Sequence, residues 1–121
     1  MKLVVIESPY AGNVALNLRY ARACMRDCLL RGEAPFASHL LYTQECVLDD
    51  KVQEERLIGM QAGFYWGKKA ELTAVYTDLG ISRGMEEGIN EAHISGRKLA
   101  YRSLPEWKIL AIMHFTTLGS W

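Results

Sequence analysis

The chain has no net charge, few cysteines and no apolar run long enough to span a bilayer, and each absence removes a class of function. Its 14 Lys and Arg match its 14 Asp and Glu. No long-range field therefore draws nucleic acid or an anionic membrane to it, though the balance leaves room for a local basic pocket. The three cysteines are Cys24, Cys28 and Cys46. Cys24 and Cys28 lie four apart in a helical pattern with no second pair to complete a zinc site, so they read as buried free thiols in a reducing compartment. His39, His93 and His114 show no metal-ligand spacing either, and no metal or other cofactor is expected. Residues 1–6 are apolar only briefly before Glu7. That stretch is too short for a signal peptide or a membrane span, and the expectation is a soluble, cytoplasmic protein without a membrane partner. Low-complexity tracts, linkers and internal repeats are absent, and no glycine cluster has the spacing of a P-loop or a dinucleotide fingerprint.

What is present is core material: 50% of the 121 residues are hydrophobic. That suits one domain over 1–121, with a core that needs no disulfide staples. Lys2 to Ile6 is β-branched and predicts a strand, followed by a loop at Ser8-Pro9-Tyr10-Ala11-Gly12. From Asn13 to Arg31 apolar residues recur at spacings of three and four, as in an amphipathic helix, with Asn13 as N-cap and Gly32 as C-cap. Ala34 to Ala37 predicts a second strand, with Ser38 to Tyr42 as its exit loop. Asp49-Asp50 is the expected cap of a second helix from about Val52 to Lys68. Gly59, Gly63 and Gly67 share one face of that helix, which favours close packing against another backbone. Leu72 to Tyr76 predicts the third strand and Ser82 to Ser95 the third helix. Lys98 to Tyr101 predicts a fourth strand ending at Arg102. Pro105 opens an apolar last helix, about 105–116, with Trp107, Met113 and Phe115. One small domain can hardly bury all of that helix, so a homo-oligomer is expected.

This alternation predicts an α/β fold: a three-layer Rossmann-like, flavodoxin-like parallel sheet of four to five strands with helices on both faces. In such sheets ligands bind beyond the carboxyl ends of the strands. The strand exits carry the candidate ligand-binding residues: Ser8, Pro9, Tyr10 and Gly12 in the first, His39 in the second, Asp78, Ser82, Gly84 and Met85 in the third, and Arg102 in the fourth. The strongest local signal is the segment from Asp78 to Gly96, a glycine turn opening a helix, whose free N–H groups suit a phosphate or carboxylate. Each residue also has a plainer reading. Ser8 to Gly12 suits an ordinary strand–helix turn, and His39 suits a hydrogen-bonded packing residue. Asp49 and Asp50 suit capping, and Glu86 and Glu87 sit where a helix dipole favours carboxylates. Tyr10, Phe36 and Tyr42 suit either base stacking or the core.

Ser8-Pro9-x-x-Gly12, Asn17, Gly32-x-x-Pro35, Ser38-His39-Leu40, Leu48-Asp49-Asp50, Glu55-Arg56, Gly59 and Gly80-Ile81-Ser82-x-Gly84-Met85, followed by Ala92 and Gly96, cover almost the whole chain. This pattern resembles an uncharacterised family of small phage and bacterial proteins, itself similar to the nucleoside 2-deoxyribosyltransferase-like Rossmannoid fold. In those transferases a nucleophilic glutamate precedes an alanine by four residues and a glycine by eight. Ala92 and Gly96 match, and the register then places Gly88 where the carboxylate belongs. Glu87 is rotated by about 100° on the helix, and Glu91 is nearly as far round the other way. A covalent glycosyl intermediate needs a carboxylate held against the anomeric carbon, so the resemblance implies a binder of a nucleotide-derived small molecule without turnover. One role implied is a phage protein sequestering a host-defence nucleotide signal in the host cytoplasm. The alternative is an N-glycosidic-bond hydrolase or transferase using another carboxylate, such as Asp49, Asp50, Asp78 or Glu86. The missing side chain at Gly88 is expected to enlarge the pocket and lower its negative charge, which favours phosphorylated ligands.

Overall fold

The computed structural model describes residues 1–107. The elements run β1 (Leu3–Glu7), α1 (Val14–Leu30), β2 (Ala34–Phe36), α2 (Ser38–Leu41), α3 (Gln53–Gly67), β3 (Leu72–Tyr76), α4 (Arg83–Ile94) and β4 (Lys98–Arg102). Among the described residues four parallel strands form one sheet in the order β2-β1-β3-β4. The chain steps outward from β1 to β2, then returns past β1 to β3 and β4. The direction of winding reverses between β1 and β3, which opens a crevice there. This is the Rossmann-like α/β architecture that the strand–helix alternation predicted.

Alternation along the strands divides the sheet into two faces. Val4 and Ile6 of β1 and Leu72, Ala74 and Tyr76 of β3 meet Tyr20, Ala21, Cys24 and Cys28 of α1 in one buried cluster. The intervening residues face α4: Arg97 Nε donates to Thr73 Oγ1 at 2.8 Å, and Gly88 lies against Glu7. β3 is buried along its whole length, as its continuous Leu-Thr-Ala-Val-Tyr run requires of a central parallel strand. Cys24 and Cys28 are free and buried, and desolvation raises both thiols above their ordinary range.

Side-chain caps start α1 and α4. The Asn13 side chain accepts from the Leu16 N–H at 3.2 Å and starts α1. Two expectations need correction. Ser38 to Leu41 forms a helical turn, α2, where an exit loop was expected. Asp49 and Asp50 do not cap α3, whose N-cap is Val52 without a side-chain bond. The Asp49 carboxylate turns back locally and accepts from the Lys51 N–H at 3.0 Å, the short-range bond that Asp offers in competition with a helix cap. The glycine face of α3 does serve close packing. A Cβ on Gly63 would lie 2.8 Å from Ser38 Cβ, so α2 rests directly on α3.

The expected apolar helix over 105–116, and self-association through it, fall outside the described residues except for Pro105 to Trp107. Those three are helical, and Trp107 meets the Tyr20 ring edge-on with centroids 5.0 Å apart. Among the described residues no helix is long and apolar enough to cross a membrane.

Candidate functional site

A pocket of about 600 Å³ opens at the carboxyl end of β1, within the size range of small-molecule sites. The loop after β1 forms one wall, α2 and α3 form a second, and the first half of α4 forms the third. Ser8 is buried at the end of β1, and its Oγ lies 2.7 Å from His39 Nε2. Burial depresses the His39 pKa to about 4, so the ring is neutral at pH 7 and acts as a hydrogen-bond partner rather than a cation. His39 is tied to Ser8 and lines the pocket. Tyr10 reaches the pocket from a loop that Asn17 pins by donating to the Tyr10 and Ala11 carbonyls at 2.9 and 3.0 Å.

On the opposite wall, Ser82 caps α4 by accepting from the Met85 N–H at 3.3 Å, while the Met85 sulfur accepts from the Ser82 N–H at 3.4 Å. Ser82, Arg83, Gly84 and Met85 all line the pocket. From α3 come Arg56, Met60 and Phe64; the sequence reading placed neither Met60 nor Phe64 there. Tyr42 also lines the pocket, whereas Phe36 packs against Tyr42 and Trp66.

Four expected ligand-binding residues lie elsewhere. Pro9 and Gly12 belong to the first loop but do not line the pocket. Asp78 is turned to the α1 face, where its Oδ2 accepts from Tyr20 Oη at 2.6 Å and from the Leu104 N–H at 2.8 Å. Arg102 aligns with Tyr76 in the sheet register and therefore also points to the α1 side. It makes a two-pronged ion pair with Glu33, at 2.8 and 2.7 Å, and holds that carboxylate below its usual pKa. Of the alternative carboxylates, Asp50 lines the pocket but faces Arg56 at 3.8 Å. Asp49, Asp78 and Glu86 do not line it.

The residue that sequence reasoning missed is Glu7. It ends β1 on the face opposite Ile6 and lines the pocket. A Cβ at Gly88 would overlap its carboxyl group, with Oε1 only 2.6 Å away. Gly88 thus does not leave a vacancy, and the expected larger pocket is corrected: a carboxyl from β1 fills the space. Desolvation raises the Glu7 pKa to about 8, against a smaller opposing pull from Arg97. The only signal in the sequence was an acid closing a β-branched run, where the strand period sets its face.

Glu87 also lines the pocket, and its Oε2 is buried without a partner among the described residues. Glu91 does not line the pocket and is held in an ion pair with Arg97. Arg97 is further committed to the Gly67 carbonyl at 2.6 Å.

Residues 2–102 match the domain of unknown function DUF7768. The chain belongs to this family. No curated protein matches it. Among solved structures it is similar to the 2-deoxyribosyltransferase of Bacillus psychrosaccharolyticus, with a TM-score of 0.56 and 17% identity. The likeness covers 84% of this chain and 72% of the transferase. At that identity it is a likeness of fold. This DUF7768 chain therefore shares the fold of the transferase.

Proposed function

We propose that the chain binds a nucleoside-derived small molecule in the pocket beside β1. The observation that carries this reading is the pocket's position and make-up. It sits at the carboxyl end of β1, next to the reversal of winding, and combines the aromatic rings of Tyr10, Tyr42 and Phe64 with the Ser8–His39 pair. Aromatic walls with a few fixed polar groups suit a planar base and a hydroxylated sugar. The fold likeness to an enzyme of nucleoside synthesis supports the same ligand class.

Two versions of the reading differ in what happens to the ligand. In one the protein is a sink, such as a phage protein that sequesters a nucleotide signal, and the ligand leaves intact. In the other it cleaves an N-glycosidic bond. The position of Glu7 favours the second.

Thermal unfolding in the presence of purine and pyrimidine nucleosides and their 5′-monophosphates tests the binding. A ligand at a hundred times its Kd raises stability by about 2.7 kcal/mol. Unfolding temperatures unmoved by the whole set at millimolar concentration reject a nucleoside pocket.

A further inference from the structure

We propose that Glu7 is the catalytic carboxyl of this pocket and donates a proton to the departing base when a sugar–base bond is cleaved. The proposal rests on the nucleoside reading above and adds to it the reaction and the residue. Its first support is shape. The carboxyl projects from the end of β1 into the pocket, and α4 admits it only because residue 88 has no Cβ. The second is the lack of a compensating partner. Burial outweighs the pull of Arg97 on the Glu7 carboxyl, and no hydrogen bond from a described residue adds to that pull. Arg97, the cation it senses, is already engaged by Glu91, Thr73 Oγ1 and the Gly67 carbonyl. A desolvated carboxyl without a partner is costly to keep ionised. A position that serves only packing has no need of one.

The groups around Glu7 make it a donor. Across from it α4 presents Glu87 and Glu91, with Arg97 just beyond the helix. α2 presents the neutral His39 beside Ser8. From α3 and the segment before it come Arg56 and Asp50, which face each other. With a pKa of about 8 the carboxyl holds its proton at pH 7. It is therefore matched to general acid catalysis near neutral pH rather than to nucleophilic attack, which needs the ionised form.

The step balances without a further reagent. The bond between the anomeric carbon and the base nitrogen breaks, and its electron pair leaves with the base. The Glu7 proton passes to the base. Water forms the new carbon–oxygen bond, and the proton it loses restores the Glu7 carboxyl through solvent.

The test incubates the protein with ribonucleosides, 2′-deoxyribonucleosides and their 5′-monophosphates, and follows free base by liquid chromatography with mass spectrometry. The wild type releases base from a ligand that also raises its unfolding temperature, and the rate falls as pH rises through about 8. Glu7→Gln keeps the ligand-induced shift and loses at least about 100-fold in kcat. Release of base undiminished in Glu7→Gln overturns the role of Glu7. A ligand that binds and is recovered intact from the wild type overturns the reaction while leaving the binding site in place. Failure of every probe to bind overturns both readings. Should Glu7→Gln not fold, the wild-type pH profile decides: a rate that is flat through pH 8 refutes Glu7 as the acid.

Discussion

Replacing Gly88 by alanine isolates the contact on which the site depends. Gly88 sits in the middle of α4, whose twelve residues run from Arg83 to Ile94. In a helix interior alanine is favoured over glycine by about 1 kcal/mol. Taken alone, the substitution should therefore stabilise the protein. The structure reverses that expectation, because the new Cβ falls within the Glu7 carboxyl group. The carboxyl must move into space already shaped by its neighbours, and such overpacking costs about 1–3 kcal/mol. In the wild-type background Gly88→Ala should thus range from neutral to about 2 kcal/mol destabilising. In a Glu7→Ala background the obstacle is gone, and the same change should stabilise by about 1 kcal/mol. Urea midpoints of the four proteins, at unchanged m, give the coupling energy, expected at about 1–3 kcal/mol. Equal effects of Gly88→Ala in the two backgrounds, to within about 0.5 kcal/mol, refute the claim that Glu7 fills the space beside Gly88.

The remaining predictions concern pH and the far side of the sheet. The folded pKa of Glu7, about 8, lies above its ordinary 4.5. The native state thus holds a proton that the unfolded chain has released, and the stability this gives is present below pH 4.5 and lost as pH rises to about 8. The upper bound on that loss is roughly 5 kcal/mol. His39 has the opposite sign: its pKa falls from 6.5 to about 4, so its contribution is lost as pH falls through that interval. The difference between wild type and Glu7→Gln, measured by urea unfolding from about pH 5 to about pH 8.5, isolates the Glu7 part. A difference that does not change with pH would show the carboxyl to be solvated. Arg102→Ala leaves Glu33 unpaired on the α1 side and should cost roughly 3 kcal/mol of stability. Because Arg102 lies outside the pocket, ligand titrations on the folded variant should match the wild type, and a weakened Kd would place Arg102 back in the site.

Much of the fold could be read from local pattern. The amphipathic spacing from Asn13 to Arg31 gave α1, observed as Val14–Leu30, within a residue at each end, and β3 lies where the apolar run placed it. Ser8, Tyr10, His39, Ser82, Gly84 and Met85 line one pocket because the exits of β1, β2 and β3 meet around the reversal of winding. Arg102 and Asp78 were misplaced because an exit names an end of the sheet and not a face. The strand register turns Arg102 toward α1, and Asp78, in the loop after β3, is held on that side by Tyr20. Ser38 to Leu41 looked like a loop because a helical turn so short has no period to show. Asp49 and Asp50 looked like caps because the same side chains form turns just as readily.

The sequence by itself determined that strands and helices alternate, that the sheet is parallel, and that Gly88 has no side chain to place at the site. Those follow from periodicity, turn chemistry and residue identity, which act over a few positions. Only the tertiary structure decided what the missing side chain means. Glu7 and Gly88 are far apart in sequence and meet because α4 packs across the face of the sheet that Glu7 points to. Glu7 reaches from β1 into the space that Gly88 leaves on α4, and no local pattern in either segment records the contact.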